Sequence, residues 1–197
     1  MTASVSAREL VLGEHQPRAD AERNVEALLR ATRELVIAGD LNPSAAEIAE
    51  RAGVGIGTLY RRAVRKEMLL AAVLVDLLQE IADRAKQQAT ADSWSAFKSF
   101  AADYIEIRQV TCSISHALEQ EFDGAVRDAV QRTRRAFEEL AENLQNAELL
   151  DPAMSAEDMM ILLASVDITE TTLGLPADAE RRQRILERIL DSLKIVS

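Results

Sequence analysis

Two short helical segments joined by a glycine turn constrain this chain more than any other feature of its sequence. Ser44 is followed three residues later by Glu47, the spacing of a capping box, so a helix is predicted to begin at Ser44. Gly53 is predicted to end that helix after Ala52. A second short helix is predicted over residues 56–62. Two short helices joined by a glycine-containing turn are typical of a helix-turn-helix.

The rest of the chain is predicted to be helical as well. Only seven of its 197 residues are Gly and four are Pro, and the long stretches between them are rich in Ala, Leu, Glu, Arg and Gln, which are strong helix formers. Hydrophobic residues make up 48% of the chain, enough for one large core or two small ones. We therefore expect an all-α protein of about nine helices.

The spacing of apolar residues predicts where the other helices lie. A helix is expected from Asp20 to a stop at Gly39, and the later ones are expected at 65–88, 93–110, 113–121, 123–148, 155–173 and 178–195. The first residues are polar and show no clear period, so they are interpreted as a mobile arm. The expected divisions are an arm at 1–17, a helix-turn-helix domain at 18–68 and a larger helical domain at 69–197.

The net charge of −10 is unevenly distributed along the chain. Residues 71–197 carry a net charge of −10, whereas residues 18–70 carry +1. Within the near-neutral part, cations crowd into one short stretch that contains Arg61, Arg62, Arg65 and Lys66. Because a local cluster of cations can contact phosphates while the rest of the protein stays acidic, the overall charge does not exclude DNA binding.

The sequence lacks the motifs that are typical of several other classes of protein. No apolar run is long enough to span a membrane and the N-terminus lacks the apolar core of a secretion signal, so a cytoplasmic protein is expected. The single cysteine, Cys112, makes neither an intramolecular disulfide nor a metal site by itself. Its thiol is interpreted either as inert or as an oxidation sensor. His15 and His116 are not in Glu-x-x-His motifs. No enzyme activity, metal or cofactor is expected.

Residues 46–62, which read AEIAERAGVGIGTLYRR, resemble the DNA-binding domain of the tetracycline-repressor (TetR) family. The spacing to residues 66–70 (KEMLL) and the upstream helix ending at Gly39 also fit, so the detailed resemblance covers about residues 18–75. The chain departs from the family at Ala63-Val64, where an aromatic residue is usual. Truncating a buried Phe to Ala typically costs about 3–5 kcal/mol, so looser packing is expected at this point.

The resemblance implies a sequence-specific transcription regulator, expected to be a repressor that a small-molecule effector releases from a double-stranded DNA operator. It also implies a three-helix DNA-binding domain followed by a ligand-binding and dimerisation domain. The homodimer contacts are expected on two apolar stripes, although both stripes would also suit the core of a single chain: Met159, Leu162, Leu163 and Val166, and Ile185, Leu186, Ile189, Leu190 and Leu193. A helical protein-binding scaffold with weak or lost DNA binding is the alternative, supported by Ala63 and the net acidity.

Candidate DNA contacts follow from the way a helix-turn-helix docks, with the N-terminal part of its second helix over base edges in the major groove. Glycines there let the backbone approach DNA, and apolar groups contact thymine methyls. Cations, hydroxyls and helix N-termini contact phosphates. The candidates are Ser44, Gly55, Ile56, Gly57, Thr58, Tyr60, Arg61, Arg62 and Lys66. Solvated arginines, a core tyrosine and a packing glycine are the alternatives, and Ile48, Val54 and Leu59 are expected to face inward.

A ligand pocket in the helical body is a further expectation that comes from the resemblance. The candidates are aromatic, soft or isolated polar side chains: Trp94, Phe97, Tyr104, His116, Phe137, Met160 and Asp167. Asp167 lies in an otherwise apolar stretch, so its carboxylate is expected to face a cavity or a partner. The alternatives are an ordinary aromatic core, a structural hydrogen bond for His116 and a pair across the dimer for Asp167.

Overall fold

The computed structural model describes residues 10–11, 19–61, 65–90, 93–118, 123–166, 171–172, 175–176 and 179–195. These ranges contain eight helices: α1 Ala19–Ile37, α2 Ala45–Ala52, α3 Ile56–Arg61, α4 Lys66–Ala89, α5 Trp94–Ala117, α6 Asp123–Asn146, α7 Ala156–Ala164 and α8 Ala179–Leu193. Two short strands, β1 Thr171–Thr172 and β2 Leu175–Pro176, pair antiparallel with Thr171 opposite Pro176. The helical fold class is confirmed. The expected count of about nine helices is not confirmed in the described ranges, where two of the predicted helices form the single helix α5.

The chain divides into two compact units. The first comprises Met1–Gln79 and Val110–Val130, and the second comprises Glu80–Gln109 and Gln131–Ser197. The division therefore falls within long helices, after Gln79 in the case of α4. The domain boundary between residues 68 and 69 that the sequence suggested stays a prediction.

The core of the first unit brings α1, α2, α3 and the start of α4 together. Its buried members are Val11, Val25, Leu28, Ile48, Leu59, Leu69 and Ala72. Thr32 is fully buried on α1 and its hydroxyl donates to the carbonyl of Leu28 at 2.8 Å. Because the hydroxyl is hydrogen-bonded, its burial costs little free energy of folding. Leu10 and Val11 are helical and Val11 is buried. The interpretation of residues 1–17 as an arm is therefore wrong at these two residues, because an apolar side chain there packs into the core.

The second unit is built around a larger core in which aromatic rings contact one another. Phe100 lies 5.5 Å from Phe137 between ring centroids, and Tyr104 lies 5.0 Å from Phe137. The two apolar stripes expected at a dimer interface contribute six side chains to this same core: Met159, Leu163, Val166, Leu186, Leu190 and Leu193. These six are buried within one chain, so their assignment to the dimer contact is wrong.

Two helix boundaries differ from the sequence prediction. A break was expected between residues 110 and 113, but α5 is continuous from Trp94 to Ala117. The hydroxyl of Ser115 donates to the carbonyl of Thr111 at 2.8 Å. Ser and Thr side chains can bond in this way to the preceding turn without ending a helix, so the polar residues at 111–115 do not break α5. The helix expected over 155–173 ends at Ala164, and the short strand pair lies beyond it.

None of the helices in the described ranges is both long enough and apolar enough to cross a membrane.

Candidate nucleic-acid interface

A reciprocal capping box begins α2. The backbone N–H of Glu47 donates to the Ser44 hydroxyl at 3.2 Å, and the backbone N–H of Ser44 donates to Oε2 of Glu47 at 2.8 Å. The side chain and the backbone N–H of Ser44 both hydrogen-bond the Glu47 carboxyl group, which favours its ionised form and lowers the pKa of Glu47 below its ordinary value. The helix start predicted from the sequence is confirmed.

The turn after α2 depends on one residue in the left-handed region. Gly53 has φ 66° and its N–H donates to the carbonyl of Glu50 at 3.1 Å. Val54 follows and donates to the carbonyl of Ala49 at 2.9 Å. Glycine adopts this backbone conformation without a steric cost. The turn therefore ends α2 and sets the direction in which the chain enters α3.

The short helix α3 has a buried side and an exposed N-terminal end. Leu59 is 1% exposed and packs in the core of the first unit with Ile48 of α2. Ile56, at the first position of α3, is 43% exposed although it is a large apolar residue. Gly55 and Gly57 on either side of it are exposed. The result is a short surface of Gly55, Ile56 and Gly57, here called the α3 tip, held over a packed core.

Cations lie at the edges of the helix pair. The ammonium of Lys66, at the start of α4, donates to Oδ1 of Asn42 at 2.8 Å. This bond ties α4 to the loop that precedes α2. Arg51, in the last turn of α2, pairs with Glu34 of α1 at 3.7 Å, and both side chains are about half exposed. Arg65 is exposed as well.

The structure places the predicted DNA contacts in three groups. Ser44, Gly55, Ile56 and Gly57 are exposed, and Lys66 is partly so. The backbones of Thr58, Tyr60 and Arg61 belong to α3, but their side chains lie outside what the structure describes, as does the whole of Arg62 with Ala63 and Val64. The inward positions expected for Ile48 and Leu59 are confirmed, and Val54 packs partly buried against the same core.

The seven predicted ligand-pocket residues do not surround one cavity among the described residues. Phe97, Phe137 and Tyr104 belong to the aromatic core of the second unit, with Met160 packed at its edge. His116 is exposed and lies in the first unit. Asp167 lies outside the described residues.

Trp94 is the predicted pocket residue that does border a groove, together with Leu149, Glu148, Lys194 and Ile195. The ammonium of Lys194 lies 5.1 Å from the centre of the indole ring. The indole nitrogen Nε1 is buried and has no hydrogen-bond partner in the described part of the chain.

A second cavity of about 200 Å³ lies within the second unit and was not anticipated from the sequence. Its α5 wall consists of Ala102, Ile105, Glu106 and Gln109. The facing wall consists of Arg182, Gln183 and Leu186 of α8, and Val166 completes the lining. The residues from α5 are spaced as one face of a helix. That face begins apolar and ends polar, a sequence signal that could have identified the α5 wall but not the helix that meets it.

Residues 28–73 match the family model of bacterial regulatory proteins of the tetR family. This segment contains α2, the Gly53 turn and α3, which is the part of the chain that forms the surface described above. No curated protein matches the sequence.

Solved structures share the fold over nearly their whole length. A TetR transcription regulatory protein from Mycobacterium vanbaalenii is 25% identical, with 90% of this chain and 99% of that chain covered and a TM-score of 0.63. A TetR transcriptional regulator from Streptomyces coelicolor is 22% identical, with 88% and 99% covered and a TM-score of 0.67. NalD, the secondary repressor of the MexAB-OprM multidrug efflux pump in Pseudomonas aeruginosa, is 18% identical, with 90% and 100% covered and a TM-score of 0.56.

Proposed function

By its domain at residues 28–73 the chain belongs to the tetR family of bacterial regulatory proteins, and on that premise we propose that it is a homodimeric repressor. It binds a specific DNA operator through the helix pair α2–α3, and a small-molecule effector bound in the second unit releases it. The observation that carries the proposal is the α3 tip, an exposed Gly55-Ile56-Gly57 surface over the buried contact between Leu59 and Ile48.

The α3 tip suits the direct reading of bases. In a helix-turn-helix the second helix enters the major groove with its N-terminal residues against base edges. The two exposed glycines present no side chain that would hold the backbone away from the DNA. The exposed Ile56 side chain is suited to thymine methyl groups, which project into the major groove. We assign sequence selectivity to Ile56 and to Thr58, two residues further along α3.

The phosphate contacts are assigned to the flanks of the helix pair. Arg61, Arg62 and Lys66, which stand at and after the end of α3 in the sequence, are assigned as the cationic contacts. At the start of α2 the N–H of Ser44 is already bonded to Glu47, so a phosphate contact there falls to the first backbone N–H groups of the helix that the Ser44 cap begins. Such contacts position a protein on DNA without reading its sequence.

The dimer contact is assigned to apolar side chains of α7 and α8 that the core of the second unit leaves uncovered. Ile161 is 66% exposed, and Leu162, Ile185 and Ile189 are partly exposed. A homodimer suits the proposal because two half-sites one helical turn apart need two reading helices related by a two-fold axis. Light scattering of the wild type and of Ile161→Glu tests the assignment, with a shift toward monomer expected for the variant.

The experiment that tests the function is selection of bound DNA from a random pool by the full-length protein. Enrichment of a palindrome with half-sites about one helical turn apart is the expected result. A pool without an enriched sequence, together with little binding to random DNA at low salt, would instead support the protein-binding scaffold. Release of the selected operator by compounds added one at a time then tests the effector.

A further inference from the structure

The cavity between α5 and α8 combines an apolar floor with two opposite charges. Ile105, Val166 and Leu186 are buried side chains that also belong to the core of the second unit. Glu106 and Arg182 lie at the same cavity, one on each helix. The wall thus offers an apolar surface, an anion and a cation within one small volume.

The two charged groups are free to take a ligand. Among the described residues neither Glu106 nor Arg182 has a hydrogen bond or an ion pair, and they do not pair with each other. Glu106 is exposed at the mouth of the site and Arg182 is partly buried. Arg84, also on the second unit, is by contrast held by Asp103 at 2.8 Å and by Glu80 at 2.7 Å. A molecule that carries one positive and one negative group can bind both side chains at once through charge-assisted hydrogen bonds.

The volume limits the size of that molecule. A cavity of about 150 Å³ lined by apolar side chains holds benzene, and this cavity has about 200 Å³. There is room for one branched chain or one ring together with two small polar groups.

We propose that this cavity binds a free amino acid with an apolar side chain. Arg182 receives the carboxylate, Glu106 receives the ammonium, and the side chain lies on Ile105, Val166 and Leu186. The regulatory consequence, that the amino acid is the effector, rests on the proposed function. The binding itself does not.

Calorimetry on the full-length protein tests the binding with three probes of one shape. L-leucine carries both charges, L-leucine methyl ester lacks the carboxylate, and 4-methylpentanoate lacks the amine. L-leucine is expected to bind at least about tenfold more tightly than either of the others. The same set based on L-phenylalanine covers the ring-shaped case. Equal affinity for all three members of both sets, or no binding by L-leucine and L-phenylalanine, overturns the proposal.

Charge variants assign the two ends of the ligand. Arg182→Gln should remove the preference for L-leucine over its methyl ester, and Arg182→Lys should restore part of it. Glu106→Gln should remove the preference for L-leucine over 4-methylpentanoate. Lys98→Gln on the exposed side of α5 and Glu142→Gln on the exposed side of α6 are the controls, and they should bind as the wild type does. Loss of both preferences in a control places the site elsewhere and overturns the assignment.

Operator binding in the same samples separates the two claims. A protein that binds its selected operator but neither amino acid contradicts this inference and leaves the proposed function standing. A protein that binds L-leucine with the expected preferences but enriches no DNA supports the site and contradicts the proposed function. If both hold, addition of L-leucine or L-phenylalanine should weaken operator binding in the wild type and not in Arg182→Gln.

Discussion

The candidate surfaces of the two units are assembled in different ways. In the first unit, the α3 tip and its supports come from one continuous stretch of chain between Asn42 and Lys66. In the second unit, the cavity brings α5 against α8, which lie far apart in the sequence. Both units use the same helix-forming chemistry, so the difference lies in the sequence distance between the parts of each surface. Local hydrogen bonds define the first surface, and side-chain packing across the fold defines the second.

That difference explains what the sequence could predict. The capping box at Ser44 and the end of α2 at Gly53 were predicted correctly, because each is stabilised by backbone groups a few residues away. The inward positions of Ile48 and Leu59 followed from the same short-range spacing. A contact between residues a few positions apart can be recognised from the residue types at those positions.

The second unit was less predictable for the same physical reason. Apolar spacing showed that Phe97 and Phe137 would face inward, but it could not distinguish an aromatic core from a ligand pocket. Glu106 and Arg182 were passed over, because the meeting of two distant helices leaves no local signal. The end of α7 at Ala164 was also missed, since the apolar residues that follow continue the helical spacing.

The largest effect is expected from a matched pair of isoleucines in the first unit. Ile48→Ala removes a fully buried side chain and should lower the free energy of unfolding by about 2–5 kcal/mol. Ile56→Ala, at the exposed α3 tip, should change it by less than about 0.5 kcal/mol and should instead weaken binding to the selected operator by about 1 kcal/mol or more per half-site. Urea unfolding and operator titration measure the two effects. Similar stability losses in both variants would show that the α3 tip is part of the core.

The same substitution can be compared at Gly53, in the left-handed turn after α2, and at Gly124, inside the helix α6. Gly53→Ala places a side chain at φ 66° and should cost about 1–2 kcal/mol. A Cβ there would meet no other atom within 4 Å, so backbone strain is the only cause. Gly124→Ala in α6 also has open space and no positive φ, so it should be neutral or slightly stabilising. Thermal unfolding distinguishes the two, and an equal response would remove the argument for a left-handed turn.

Matching caps in the two units allow a direct comparison. α7 begins with a capping box like that of α2, formed by Ser155 and Asp158. Ser44→Ala and Ser155→Ala should each cost about 1 kcal/mol of stability. Only Ser44→Ala should also weaken operator binding, measured at a temperature where both variants are folded. Equal losses of operator affinity would mean that Ser44 acts through stability alone.

The smallest effect is expected from pH. Hydrogen bonds from Ser44 lower the pKa of Glu47 in the folded protein. The stabilisation is therefore present above the unfolded pKa of the carboxyl group and is lost as the pH falls through the folded pKa. The stability difference between the wild type and Glu47→Gln should shrink on acidification. A difference that is constant or that grows toward acid pH would contradict the bonding seen at α2.

The central claim is that the helix pair α2–α3 and its flanking cations bind DNA. The most direct measurement is the affinity of the full-length protein for its selected operator as a function of salt, for the wild type and for Arg61→Ala with Arg62→Ala. The wild type should bind tightly with a steep salt dependence. The double variant should remain a folded dimer, bind far more weakly and lose about two units of slope in log affinity against log salt per protomer. Undiminished affinity with an unchanged slope in the double variant would contradict the account.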